Sequence, residues 1–188
     1  MKDLSLHLLD IAQNSMVVGS KNVTISLVID TPADAITFTV IDDGRGMDEE
    51  FLQRVTDPFT TTRTTRKVGL GIPLLKQNAE RTGGSMHIES TLGKGTRIEA
   101  VLRPSSIDCL PLGDIGGAVA MMICSNPHIN VMFHYANNGE VFDIDTRTLE
   151  EALDGIPLND ASVYMPITQL IQSGIAEADG LSPVENEE

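Results

Sequence analysis

Strict alternation of apolar residues in two neighbouring stretches constrains this chain more than any other feature. Val23, Ile25, Leu27 and Ile29 alternate along 23–29, and Ile36, Phe38 and Val40 repeat the pattern along 36–41. Side chains of a strand point to opposite faces with a period of two, so each stretch reads as a half-buried strand. Thr31-Pro32-Ala33-Asp34 supply the turn between them. The second strand runs without a break into Asp42-Asp43-Gly44-Arg45-Gly46-Met47, which two glycines mark as a turn or loop.

Helical spacing frames the pair. Along 3–18, Leu4, Leu8, Ile11 and Ala12 gather on one side at 100° per residue, while Asp3, His7, Asp10 and Asn14 form a narrow stripe on another. A short helix is expected over 48–55, and another over 69–81, closed by Gly83-Gly84. Between them 57–68 is an exposed loop rich in hydroxyls and cations. Strands follow at 85–90 and 96–102 around the Gly93-Lys94-Gly95 turn, with Pro104 marking their end. Beyond it the pattern predicts a buried helix at 115–124, a hairpin from 130–135 and 141–144 around Asn137-Asn138-Gly139, and helices at 146–153 and 167–177.

The charge is divided at the same place. Residues 1–104 carry 12 basic and 13 acidic side chains, whereas 105–188 carry Arg147 against 14 acids, so nearly all of the net −14 lies in the second part. This predicts three segments: 1–104, a small acidic unit at 105–177 and a disordered acidic tail at 178–188. Binding to a nucleic-acid backbone depends on basic clusters and is not expected. The apolar run 115–124 is half the length of a membrane span, and Asp3 and Asp10 interrupt any apolar leader. Cys109 and Cys124 lack metal or redox spacing and read as small apolar residues. The expectation is a cytoplasmic protein without a membrane span.

Four places carry potential chemistry: the Asp10/Asn14 pair, the 42–47 loop, the Thr/Arg loop running into Gly69-Leu70-Gly71, and the Gly93-Lys94-Gly95-Thr96 turn. Asp10 and Asn14, four residues apart on one helix, project side by side about 6 Å apart along the axis and together suit a hydrated hard cation such as Mg²⁺. The competing reading is a solvated helix face, but such faces carry long Lys and Glu chains and this stripe has none. Asp42, at the end of a buried strand, can accept from an exocyclic amine such as adenine's, and Gly44 and Gly46 permit close backbone approach. An ordinary acidic turn remains the alternative; a calcium loop does not, because Gly44 stands where a ligand is required. Gly69-Leu70-Gly71 open a helix whose amides suit an anion, and Thr60, Thr61, Thr62, Thr64, Thr65, Arg63, Arg66 and Lys67 precede them in a density that suits a polyphosphate. A threonine-rich surface loop is the plain alternative. The dinucleotide pattern lacks its third glycine and the P-loop pattern lacks its first, where Ile88 stands, so neither common phosphate loop is present.

Taken in order, these segments resemble the GHKL superfamily of ATP-binding domains, shared by gyrase, heat-shock chaperones, histidine kinases and mismatch-repair ATPases. LLDIAQNSMVVGSKNVTISLVI at 8–29 looks like its N box and DDGRGM at 42–47 like its G1 box. DPFTTT at 57–62 resembles the F box of histidine kinases. KVGLGIPLLKQNAERTGGSMHIEST at 67–91 resembles the G2 box, and GKGTRIEAVL at 93–102 the closing strand. The resemblance implies a Bergerat fold, an α+β two-layer sandwich with helices on one face of a mixed sheet, extended here by a small C-terminal α/β unit. It implies ATP and Mg²⁺ as ligands, with Asn14 as the metal ligand and Asp42 taking the adenine amine. Gly46 would make space for the base, and Thr96 would hold it through a hydroxyl. The nucleotide-contacting set so implied is Asn14, Asp42, Gly44, Gly46, Met47, Thr61, Thr62, Arg63, Lys67, Gly69, Leu70, Gly71 and Thr96. Hydrolysing members carry a glutamate as general base where this chain has Asp10, a carboxylate one methylene shorter. On this reading the acceptor is not expected in the residues before the N box. The resulting expectation is transfer of the γ-phosphoryl of Mg-ATP to a partner protein in trans, with Asp10 as the catalytic residue; a Mg-dependent ATPase and a non-catalytic nucleotide-gated interaction module are the alternatives.

Overall fold

The computed structural model describes residues 2–57 and 71–181. Helix α1 (Leu4–Val17) is followed by strands β1 (Asn22–Asp30) and β2 (Ala35–Asp42), then short helix α2 (Glu49–Arg54) and helix α3 (Gly71–Arg81). Strands β3 (Ser85–Thr91) and β4 (Gly95–Leu102) complete the first part. Helix α4 (Ile115–Ser125), strands β5 (Asn130–Asn137) and β6 (Glu140–Asp145), and helices α5 (Thr146–Ala152) and α6 (Ala161–Ala178) form the second.

All six strands join one sheet in the order β3-β4-β2-β1-β5-β6. The β1–β2 pair is antiparallel with Val23 opposite Asp42, as the alternation requires for a hairpin with one buried face. Strand β5 lies parallel to β1, Asn22 opposite Asn130, and β6 returns antiparallel to it. The sheet is thus mixed, and residues C-terminal to Pro104 supply its last two strands. Val23, Ile25, Leu27, Phe38, Val40, Ile98, Ala100, Val131, Phe133 and Tyr135 face the helices and form one continuous core with Leu8 and Ile11 of α1, Leu75 of α3, Val119 and Ile123 of α4, and Ile167 and Ile171 of α6. The architecture is the expected α/β sandwich.

The helix starts show why the chain folds locally as it does. Asp3 caps α1 by accepting from the Leu6 amide at 3.0 Å, and the Leu4 and Ser5 amides donate to the Pro111 and Leu112 carbonyls. The first-turn donors, which have no partner within a helix, are thereby satisfied. Asp114 caps α4 through the Gly117 amide at 2.8 Å and also accepts from Gln172 of α6 at 3.1 Å. The segment between Pro111 and Asp114 therefore ties α1, α4 and α6 together. Helix α6 begins six residues earlier than expected. Pro166 reads as a helix break but lies in the second turn, where the carbonyl it leaves without a donor, that of Ser162, belongs to an exposed residue.

Candidate functional site

The carboxylate of Asp42 closes β2 with only 8% of the residue exposed. A buried carboxylate is costly unless it is hydrogen-bonded, and two donors converge on this one, with the Ser20 hydroxyl, which donates to the Ser15 carbonyl, close by. Ser15 of α1 donates to Oδ2 at 2.7 Å, the Gly44 amide donates to Oδ1 at 2.9 Å, and the Ser20 hydroxyl stands 3.4 Å from Oδ1. The side chain is thereby fixed between the sheet and α1, with carboxylate lone pairs to spare. Its neighbour Asp43 does the opposite job. Its carboxylate accepts from the Lys21 and Asn22 amides and from the Asn22 side chain, at 2.7, 2.9 and 2.7 Å, pinning the loop to the start of β1. Burial works against that charge, but the donors of Asn22 and Lys21 outweigh it and hold the Asp43 carboxyl below the usual carboxylate range.

The two glycines of the loop are both sterically required. A Cβ on Gly44 would stand 2.6 Å from Val18 Cγ2 and 2.9 Å from Asp42 Oδ1. Gly46 adopts φ +65°, and a Cβ there would overlap the Thr91 carbonyl oxygen. The loop is thus laid directly onto the β3–β4 turn: the Gly93 amide donates to the Arg45 carbonyl at 2.6 Å, and the Met47 amide donates to Ser90 Oγ at 2.8 Å. Ser90 Oγ also lies 2.9 Å from Thr96 Oγ1, and Thr96 sits opposite Asp42 in the β2–β4 register. Asp42, Gly44, Gly46, Met47 and Thr96 therefore come together at one end of the sheet.

A cavity of about 210 Å³ opens at this end. Asp42, Ser90 and Thr96 line it from the helix-facing side of the strands, and Ile41, Glu89 and Arg97 from the opposite side. Its volume falls below the roughly 300–1,000 Å³ of pockets that enclose whole drug-sized ligands.

A second group gathers at α1 and α3. Asp10 and Asn14, both half-buried, occupy consecutive turns of α1. Gly71, the first described residue of α3, is buried against Asp10, and a Cβ on it would overlap the Asp10 carboxylate. Ser15 adjoins Asn14 in the chain and bonds Asp42, so α1 links the two groups. Among the described residues, no cluster of three or more His, Cys, Asp or Glu side chains could hold a metal ion by itself. The oxygen donors of Asn14 and Asp10 fit Mg²⁺, which commonly takes one or two protein ligands and completes its shell with substrate phosphates and water. Thr61, Thr62, Arg63, Lys67, Gly69 and Leu70 lie outside the described residues.

Ser15, Ser20 and Ser90 were not among the residues singled out from the sequence. Serines are common, and only the register that sets Ser90 opposite Thr96, and the helix turn that brings Ser15 over β2, reveals them.

Comparison with known proteins adds the family context. The model of the family described as histidine kinase-, DNA gyrase B- and HSP90-like ATPase matches residues 2–106. A putative sensor protein of Shewanella frigidimarina is 40% identical over 78 residues, covering 40% of this chain and 12% of that protein. Sporulation kinase D of Bacillus subtilis is 36% identical over 103 residues, covering 53% of this chain and 19% of the kinase. The circadian input-output histidine kinase CikA of Synechococcus elongatus is 32% identical over 129 residues, covering 61% of this chain and 17% of the kinase. The chain thus spans less than a fifth of each of these relatives. Among solved structures, the N-terminal domain of a DNA repair protein superposes with a TM-score of 0.56 at 14% identity, covering 77% of this chain and 52% of that one. At that identity the likeness concerns the fold alone.

Proposed function

Because the chain belongs to the histidine kinase-, DNA gyrase B- and HSP90-like ATPase family, we propose that it binds Mg-ATP between α1 and the end of β2 and passes the γ-phosphoryl group to a side chain of a partner protein. The observation that carries this reading is the buried Asp42 carboxylate, oriented by Ser15 and Gly44 beside Thr96. In this reading Asp42 accepts from the adenine amine, Thr96 hydrogen-bonds the base, and Gly46 leaves the room a side chain would take.

The phosphates then point along α1 towards Asn14, Asp10 and Gly71. Thr61, Thr62, Arg63, Lys67, Gly69 and Leu70 are assigned to the same phosphates from the sequence. Asn14 would hold Mg²⁺, which neutralises phosphate charge when bound. In the transfer step a nucleophilic atom of the acceptor forms a bond to the γ-phosphorus. The bond from that phosphorus to the β–γ bridging oxygen breaks, and ADP leaves with the electron pair. Such chemistry relies on positioning and charge neutralisation more than on a strong base, which suits a site offering the short carboxylate of Asp10.

Purified protein incubated with γ-labelled ATP, with and without a cell extract as the source of acceptor, tests the proposal. Label on a protein band of the extract, lost with Asn14→Ala, is the expected result. Free phosphate without labelled protein would make the chain an ATPase, and binding without turnover would make it a nucleotide-gated module.

A further inference from the structure

His7 lies on the same helix as Asp10 and Asn14 and is completely buried. Its Nε2 accepts a hydrogen bond of 2.7 Å from Asn78 Nδ2 of α3. That leaves the ring proton on Nδ1, which is buried and has no partner among the described residues. Packing alone would be better served here by leucine, and burying an unpaired donor is unfavourable. Positions that break the ordinary rules of a core in this way are characteristic of functional regions.

The position of this bond gives it a consequence. Two contacts of polar side chains tie α1 to α3 among the described residues: Asp10 against Gly71, and His7 against Asn78. The first pair is separated from the second by three residues on α1 but by seven on α3, about 4.5 Å against about 10.5 Å of helix. The remaining buried anchors of α3, Pro73, Leu75 and Ala79, are apolar, and its other polar tie, exposed Arg81 to Asp108 at 2.7 Å, holds the far end of the helix, ten residues from Gly71. Apolar contact is not directional and tolerates rotation about the helix axis, whereas a short hydrogen bond does not.

We infer that His7 is a positioning residue for the nucleotide phosphates: its bond to Asn78 fixes the rotation and slide of α3, and so holds Gly71 and the start of that helix against Asp10. The inference rests on the proposed placement of the phosphates along α1. Its signature is selective. Loss of the tie should affect ligands that carry phosphates and spare the base pocket, which is built from β2, β3, β4 and the Ser15 turn of α1.

The test is calorimetric titration of the full chain with Mg-ATP and, separately, with adenosine. The variants are His7→Leu, Asn78→Leu and His7→Gln, the last presenting a side-chain amide to Asn78. Thermal melts of each variant verify folding, and Asn78→Leu, at a half-buried position, serves if His7→Leu does not fold. The expected result is a loss of Mg-ATP affinity of roughly five- to tenfold for both leucine variants. Adenosine affinity stays unchanged, and His7→Gln recovers most of the loss. Equal losses for Mg-ATP and adenosine, or no loss for either, would overturn the inference while leaving the nucleotide site in place. A wild-type protein that binds neither ligand would remove the proposed function itself, and this inference with it.

Discussion

At the scale of single residues, the most informative side chain is His7. Burial pushes the pKa of His7 down from 6.5 to about 4, with a smaller contribution from the positive N-terminus. The unfolded chain therefore binds this proton more readily than the folded one, and stability falls as pH drops from about 6.5 towards 4. Above that window His7 contributes no pH dependence. The pH dependence amounts to about 2 kcal/mol between pH 7.5 and pH 5. Urea unfolding at the two pH values should record this difference for the wild type and lose most of it in His7→Gln. An unchanged slope in the variant would show that another group is responsible. The carboxyls of Asp3, Asp34 and Asp160, which are held low by hydrogen bonds, act in a more acidic range and do not confuse the reading.

Residues also mark where sequence reasoning stops. Asp42 could be singled out because it ends a buried strand, a common place for a group that reads a ligand, and two glycines follow it. Which of the two adjacent aspartates turns inward follows from the same alternation, since Asp42 shares the face of Phe38 and Val40. Ser15, which orients it, and Ser90, which bonds Met47 and Thr96, could not be recognised, because one role depends on a contact across 27 residues of chain and the other on strand register. His7 belonged to a polar stripe with Asp3, Asp10 and Asn14, yet the structure splits that stripe. Asp3 caps the helix, His7 is buried beneath α3, and Asp10 and Asn14 remain half-buried. Periodicity orders the side chains around one helix but does not indicate which neighbour will cover them.

At the scale of elements, the loop after β2 and the β3–β4 turn form a single unit held by backbone contacts. Gly46 is its keystone, with a left-handed φ and a carbonyl oxygen where a side chain would go. Gly46→Ala should cost roughly 2 kcal/mol from backbone strain and displacement of Thr91, lowering the melting temperature by roughly 4–8 °C in a chain of this size. Mg-ATP affinity should fall with it, because the Met47–Ser90–Thr96 chain of hydrogen bonds is displaced. A melt and a titration on the same sample read both. A stable variant with unaltered affinity would mean that the turn does not shape the pocket. The strand pairs that meet across short turns were legible from alternation and glycines. The early start of α6 was not, since Pro166 is tolerated for a reason, the exposure of Ser162, that appears only in three dimensions.

At the scale of the whole molecule, the sequence divides by charge but the sheet does not. The parallel β1–β5 pair joins residues more than a hundred positions apart, and no local pattern announces such a partner. β5 seats α4 and α6 beside α1, so the acidic part of the chain shares a core with the helix that carries Asp10 and Asn14. Among the described residues, no helix is long and apolar enough to cross a membrane.

The central claim is that a purine nucleotide occupies the crevice between α1 and the end of β2 with its base on Asp42. Calorimetric titration of the wild type and of Asp42→Asn with Mg-ATP and with Mg-tripolyphosphate tests it most directly. The account predicts that the wild type binds both and that the variant loses ATP affinity by roughly tenfold or more, the scale of a lost hydrogen bond to a charged group, while holding tripolyphosphate unchanged. Equal losses for the two ligands, or a wild type that gives no heat with Mg-ATP, would contradict it.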